Sequence, residues 1–254
     1  MSTSLEISRE ERVLRVTLNR PEKRNALSLA LCRELADMLE NAERDDGVGA
    51  VLLAARGSVF CAGMDLDEAL AGDAAEHSAA HERFFTIGAR LTVPVVAAVA
   101  GPALGGGLGL VANAHVVVAA QGSSFGLTEI RLGMWPFVVS GAITAALGER
   151  RALELGLSGR IFGTQEALAW GLVHYVVPAF ELEDRAWQLA STIAGFSRAT
   201  IRSGMAFLRD ARGLAPKEMA ALAAQARIPI FEGADFREGV QAFREKRPPK
   251  WPSQ

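Results

Sequence analysis

Glu129 ends the segment Phe125-Gly-Leu-Thr-Glu129, and a partly desolvated glutamate is able to take up and return a proton near neutral pH. Upstream, Gly105-Gly-Gly107 follows an apolar run and reads as the opening of a helix. Orphan N–H groups and the positive dipole end at such a place favour an anion. A third segment, Phe60-Cys-Ala-Gly-Met-Asp-Leu66, comes after the turn Arg56-Gly-Ser58. Its Gly63 permits backbone geometry that other residues resist, so the loop can aim a peptide N–H into a pocket. Each feature also has an ordinary explanation: a strand-to-helix turn for the loops, a helix-start contact for the glutamate. The glycine run fails the common nucleotide patterns. Leu110 stands where a dinucleotide fingerprint needs its last glycine, and no Gly-Lys-Ser/Thr follows.

Other reactive side chains rank lower. Cys32 falls inside a helical pattern, and Cys61 has no histidine near it in sequence, so both read as packing residues rather than a nucleophile or a disulfide. His77 and His81 stand one helical turn apart, a spacing known from metal sites. The residues between them are Ser-Ala-Ala, without the glutamate of a zinc-protease helix, so no metal site is expected. His115 and His174 occupy strand-like positions and read as structural. Asp65 reads as a residue that orders its loop, while Asp67 and Glu68 stand close enough in sequence to reach the same pocket.

These residues need a scaffold, and the periodicity supplies one. Leu5/Ile7 and Leu14/Val16/Leu18 alternate with polar residues around Arg9-Glu-Glu-Arg12, a hairpin pattern with one wet face. Ser28 can cap a helix carrying Leu31, Leu35, Met38 and Leu39, which Asp45-Asp-Gly47 closes. Continuous apolar runs at 51–55, 95–99, 116–120 and 173–177 suit strands covered on both faces of a mostly parallel sheet. Helical segments alternate with them, so the class is α/β. Beyond Pro178 the pattern is helical throughout, over 181–195, 198–211, 215–227 and 235–246, before prolines in the last residues stop it. A core domain over 1–195 and a C-terminal helical region over 196–254 are expected.

The chain has 254 residues, half of them hydrophobic, with a formal charge of −2. That length buries a sizeable core, and no basic block offers a footprint for nucleic acid. Without an apolar stretch long enough for a membrane span or a signal-peptide core, no membrane partner is expected and a cytoplasmic location is the default.

Taken together, Asn19-Arg-Pro…Asn25-Ala-Leu27, Phe60–Leu66, Gly105–Gly107 and Phe125-Gly…Glu129…Leu132-Gly133 resemble the active-site segments of the crotonase (enoyl-CoA hydratase/isomerase) superfamily in order and spacing. Phe236-Arg-Glu-Gly-Val-Gln-Ala-Phe-Arg-Glu-Lys-Arg247 resembles its C-terminal segment, so the likeness spans nearly the whole chain. The resemblance implies a crotonase (ClpP/crotonase-like) spiral of ββα units whose C-terminal helices pack between subunits of a homotrimer or homohexamer. It implies a coenzyme A thioester as substrate, with coenzyme A entering as part of that substrate, no permanently bound cofactor, and a place in fatty acid metabolism. The N–H groups of Met64 and Gly106 would form an oxyanion hole for the thioester carbonyl, and Glu129 would be the catalytic carboxylate. Lys23, Arg24, Ala26 and Ala62 would skirt the cofactor moiety, with Phe243 and Lys246 reaching it from the C-terminal helix, often across a subunit contact. Leu66, Gly109, Trp135 and Phe137 would line the acyl pocket.

Gly109 departs from the family pattern. Hydratases of the superfamily usually carry a glutamate there and a second where this chain has Glu129, the pair holding one water. Members with only the second glutamate include 3-enoyl-CoA isomerases, which need one base to move a proton from C2 to C4. The resemblance therefore favours isomerisation of an unsaturated acyl-CoA by Glu129. The alternatives are a 2-enoyl-CoA hydratase with a substitute acid, Asp67 or Glu68 among the candidates, and an acyl-CoA binder without turnover.

Overall fold

The computed structural model describes residues 4–253. A hairpin of β1 (Leu5–Glu10) and β2 (Val13–Leu18) leads to α1 (Leu29–Arg44), and β3 (Ala50–Ala55) follows. Two helices, α2 (Leu66–Ala71) and α3 (Ala74–Ile87), precede β4 (Val95–Val99), the short β5 (Pro102–Leu104) and α4 (Gly106–Asn113). Next come β6 (Val116–Ala120), β7 (Ser124–Gly126), α5 (Phe137–Leu147), α6 (Glu149–Ser158), β8 (Ile161–Gly163), α7 (Thr164–Ala169) and β9 (Tyr175–Val177). The remainder is helical: α8 (Leu182–Ala194), α9 (Arg198–Asp210), α10 (Pro216–Glu232) and α11 (Ala234–Glu245).

The main sheet runs β1-β2-β3-β4-β6-β9, antiparallel at the opening hairpin and parallel thereafter. Its central strands are apolar without interruption because both faces are covered. Val51, Leu53, Ala97, Val99, Val117 and Ala119 face the large core under α1, α3, α4 and α5. Their neighbours Leu52, Ala54, Val96, Ala98, Val118 and Ala120 face α8, which answers with Ala186, Ala190 and Ala194. Small residues on both sides bring helix and sheet close; a Cβ on Gly49 would lie 2.7 Å from the Ala194 backbone. The α1 cap is as the sequence suggests, with the Ser28 hydroxyl accepting from the Leu31 N–H.

His115 and His174 are structural, each at the entry to a strand. Their Nδ1 atoms accept from the N–H groups of Val95 and Val117, which ties neighbouring strands together. Burial pushes the His115 pKa down to about 4, so it is neutral in this role. The C-terminal tail folds back rather than trailing away: Trp251 donates to the Gly195 carbonyl, and Asp235 accepts from Ser197 and Ser253. Among the described residues, no helix is long and apolar enough to cross a membrane.

Candidate active site

The site forms where the loops after β3 and β4 meet. Two isolated parallel bridges, Leu27 with Met64 and Cys61 with Ala103, bind three distant segments into one platform. The Leu27 N–H donates to Gly63 O, the Asp65 N–H to Leu27 O and the Leu104 N–H to Cys61 O. A second, three-stranded sheet, β5-β7-β8, extends the platform, and the Gly105 N–H donates to Gly126 O. Glu129 lies just beyond β7, at the start of a 3-10 turn, Glu129–Leu132. This small sheet is what lays the glutamate beside the glycine run.

Glycine is required where the loops touch. At Gly63, with φ +92°, a Cβ would stand 2.9 Å from Leu104 O and 3.3 Å from the Gly106 nitrogen. At Gly107 a Cβ would stand 2.2 Å from Cys61 O. The N–H groups of Met64 and Gly106, the expected oxyanion donors, therefore belong to strands of backbone in close contact, and both residues line one cavity of about 560 Å³. Among the described residues neither N–H has a protein acceptor. Asp65 holds the loop as expected: it pairs with Arg20 at 3.0 Å, and Arg20 also donates to Ala26 O.

Glu129 lines the same cavity and is 8% exposed. Its Oε1 would be 2.9 Å from a Cβ on Gly105, so the carboxylate rests against the entry to α4. Oε2 is buried without a partner. Burial pushes the carboxyl above the ordinary range, opposed by a hydrogen bond from its own backbone N–H. An acid so placed titrates closer to neutrality, as a proton carrier requires.

No other carboxylate among the described residues lines this cavity. Asp67 points outward in an ion pair with Lys23 at 3.0 Å. The Glu68 carboxylate accepts from the Leu29 N–H at the head of α1. Gly109 is corrected as a pocket residue, since it is absent from the lining. A Cβ there would stand 2.4 Å from Val139 Cγ1 and 2.8 Å from Phe85 Cε1, so these two side chains fill the space a longer residue would need.

The other expected pocket residues, Leu66, Trp135 and Phe137, do line the cavity, with Phe137 largely exposed at its mouth. Ala62 lines it too, and its N–H donates to the carbonyl of Arg24, which is held in the left-handed region at φ +52°. Lys23 and Arg24 are exposed beside this edge, and Ala26 is buried beneath it. Phe243 lies elsewhere, 85% exposed on α11, with Lys246 capping the same helix. The single chain does not bring them to Glu129. Residues the motifs did not single out for the acyl pocket include His77, His81, Phe85, Arg131 and Val139, all in the lining. The one-turn spacing of the two histidines was the available signal. Among the described residues no third ligand joins them to make a metal cluster.

Cys61 is fully buried, and burial pushes its thiol up to about 12, as it does for Cys32. Neither is a nucleophile at neutral pH. Native protein treated with iodoacetamide is expected to show no alkylation at Cys61 by peptide mass mapping, whereas denatured protein labels fully.

A family model described as enoyl-CoA hydratase/isomerase matches residues 8–254. Similar curated proteins include a 2,3-dehydroadipyl-CoA hydratase of Escherichia coli, 35% identical over 97% of this chain and 98% of that protein. A mevalonyl-coenzyme A hydratase of Aspergillus fumigatus is 36% identical over 94% of this chain and 91% of that one. Among solved structures, an enoyl-CoA hydratase from Bacillus anthracis superimposes with a TM-score of 0.93 at 31% identity, covering 99% of this chain and 100% of that chain.

Proposed function

The chain belongs to the enoyl-CoA hydratase/isomerase family, and within it we propose that this protein shifts the double bond of a 3-enoyl-CoA to the 2-position with Glu129 as its one base. The observation that carries this reading is the solitary carboxylate: Glu129 is in the cavity, Asp67 and Glu68 are engaged elsewhere, and Gly109 has neither a carboxylate nor room for one. In the proposed cycle the thioester carbonyl accepts from the N–H groups of Met64 and Gly106. Glu129 removes a proton from C2, and the electron pair moves onto the carbonyl oxygen to give a dienolate. The same carboxyl then delivers the proton to C4: the 3,4 π pair forms the new C4–H bond, the C1–C2 π pair becomes the 2,3 double bond, and the oxygen pair re-forms the carbonyl. Two preorganised donors matter most at the dienolate, which carries more charge than the ground-state carbonyl; removing one such donor costs about 3–4 kcal/mol in other enzymes.

Hydration is the second reading, favoured by relatives whose names are those of hydratases. It needs a second group to hold the water. Exposed Phe231, Phe236 and Phe243 on the C-terminal helices support the expected homo-oligomer. Incubation with 3-enoyl- and 2-enoyl-CoA in deuterated water separates the two chemistries. Isomerisation gives the 2-enoyl product with deuterium entering at C4 to the extent that Glu129 exchanges with solvent. A 3-hydroxyacyl-CoA formed as the faster product overturns the proposal.

A further inference from the structure

Two buried imidazoles in the acyl cavity have no part in the proton transfer described above. His77 and His81 are each 7% exposed, one turn apart on the face of α3 that lines the cavity. Their ring centroids are 6.1 Å apart, tilted by 54°, a geometry without a hydrogen bond between them. Both ring nitrogens of His77 are buried with no partner. His81 has ring neighbours, His77 on one side and Phe85 on the other at 6.2 Å. Among the described residues no group hydrogen-bonds to it. Buried polar groups in folded proteins are nearly always paired; the His77 nitrogens are shut away, Nε2 lying 2.5 Å from the Cβ position of Gly72, so His81 is the ring that offers a polar edge to the cavity.

The position of that occupant follows from α3. Phe85 meets the head of α4, its Cζ lying 3.3 Å from the Cβ position of Gly106. Successive turns back along the helix place His81 and then His77 farther from that point, along the cavity wall. We propose that His81, backed by His77, is the hydrogen-bonding wall of the acyl pocket, and that the pocket selects acyl-CoA thioesters whose acyl group carries a hydroxyl beyond the reacting carbons. The proposal rests on the acyl-CoA reading of the site.

The chemistry of the rings favours a hydroxyl over other polar ends. A neutral imidazole offers one donor and one acceptor. A hydroxyl pairs with either nitrogen of His81, donating to the bare nitrogen or accepting from the N–H. A carboxylate only accepts, and beside a neutral ring it is a buried charge without a counter-charge, which costs more than the hydrogen bond returns. Burial lowers the His81 pKa, the neighbouring His77 lowers it further and Glu68 opposes them, which agrees with a neutral ring. An alkyl chain fills the same space without pairing either ring.

Calorimetric titration of the full-length protein with non-hydrolysable saturated acyl-CoA thioethers of equal length tests this, one plain, one ending in a hydroxyl and one in a carboxylate. The hydroxylated chain is expected to bind about tenfold more tightly than the plain one. In His81→Phe the order inverts, with looser binding of the hydroxylated chain and tighter binding of the plain one, and His81→Gln retains part of the original preference. The imidazole 15N resonances of the unmodified protein are expected to move with the hydroxylated chain and not with the plain one, a readout that needs no variant. Equal or tighter binding of the plain chain, tightest binding of the carboxylated chain, or a preference unchanged in His81→Phe overturns the proposal. Because binding is read without turnover, an absent isomerase activity with this preference intact sinks the catalytic reading alone. Binding of none of the three chains sinks the acyl-CoA reading and this proposal with it.

Discussion

Glu129→Gln is expected to lower turnover by roughly 10²–10⁴-fold, the range general acid–base groups contribute. Glutamine keeps the shape of the side chain and loses the basic oxygen, and among the described residues no second carboxylate lines the cavity to substitute for it. The pH profile carries the same signature. The base must be ionised to take the C2 proton, so kcat/KM of the unmodified enzyme rises with pH through the Glu129 titration. Because burial raises that pKa, the rise lies above the ordinary carboxylate range. Stability responds in the opposite sense. A carboxyl whose pKa is higher folded than unfolded holds its proton more strongly when folded, so its contribution declines as pH climbs through that window. The glutamine variant lacks this decline and is expected to melt at a higher temperature than the parent at pH 8, as read by scanning calorimetry. Turnover retained within a factor of a few in Glu129→Gln would sink the one-base mechanism.

The parts of this site that were legible in the sequence are those fixed by local chemistry. Continuous apolar runs marked β3, β4 and β6 because both faces of these strands are buried, and the motif glycines marked places where two backbones touch. The strands β5, β7 and β8, three residues each, carry too few positions to show any period. Yet they are what sets Glu129 beside Gly105. Helix α10, expected over 215–227, continues to Glu232 through Pro229. The spacing of His77 and His81 showed that they share a helix face. Which way that face points depends on how α3 packs against α1 and α5, a non-local matter. The same holds for Asp67 and Glu68, whose partners Lys23 and Leu29 come from a segment far upstream.

Gly109 shows the same limit and leads to the second large effect. The sequence marks a missing carboxylate; the structure adds that Phe85 and Val139 have closed over its place. Glycine to alanine inside a helix ordinarily stabilises by about 0.5–1 kcal/mol. Gly109 lies in the middle of α4, yet a Cβ there would be 2.4 Å from Val139 Cγ1 and 2.8 Å from Phe85 Cε1. Gly109→Ala is therefore expected to destabilise, because overpacking a filled core costs about 1–3 kcal/mol. Gly109→Glu adds a buried carboxylate to the same clash, and a loss of about 3 kcal/mol or more is expected. Urea denaturation measures both. Placing a glutamate at this position alone should then yield a weakened protein that hydrates 2-enoyl-CoA no faster than the parent. Pairing Gly109→Glu with Val139→Ala and Phe85→Ala opens the space, and part of the lost stability should return. Hydratase activity that emerges only in this triple variant would place the barrier between the two chemistries in Phe85 and Val139. A stable single Gly109→Glu variant that hydrates efficiently would mean that these side chains yield readily, and that glycine at this position is not what withholds hydration.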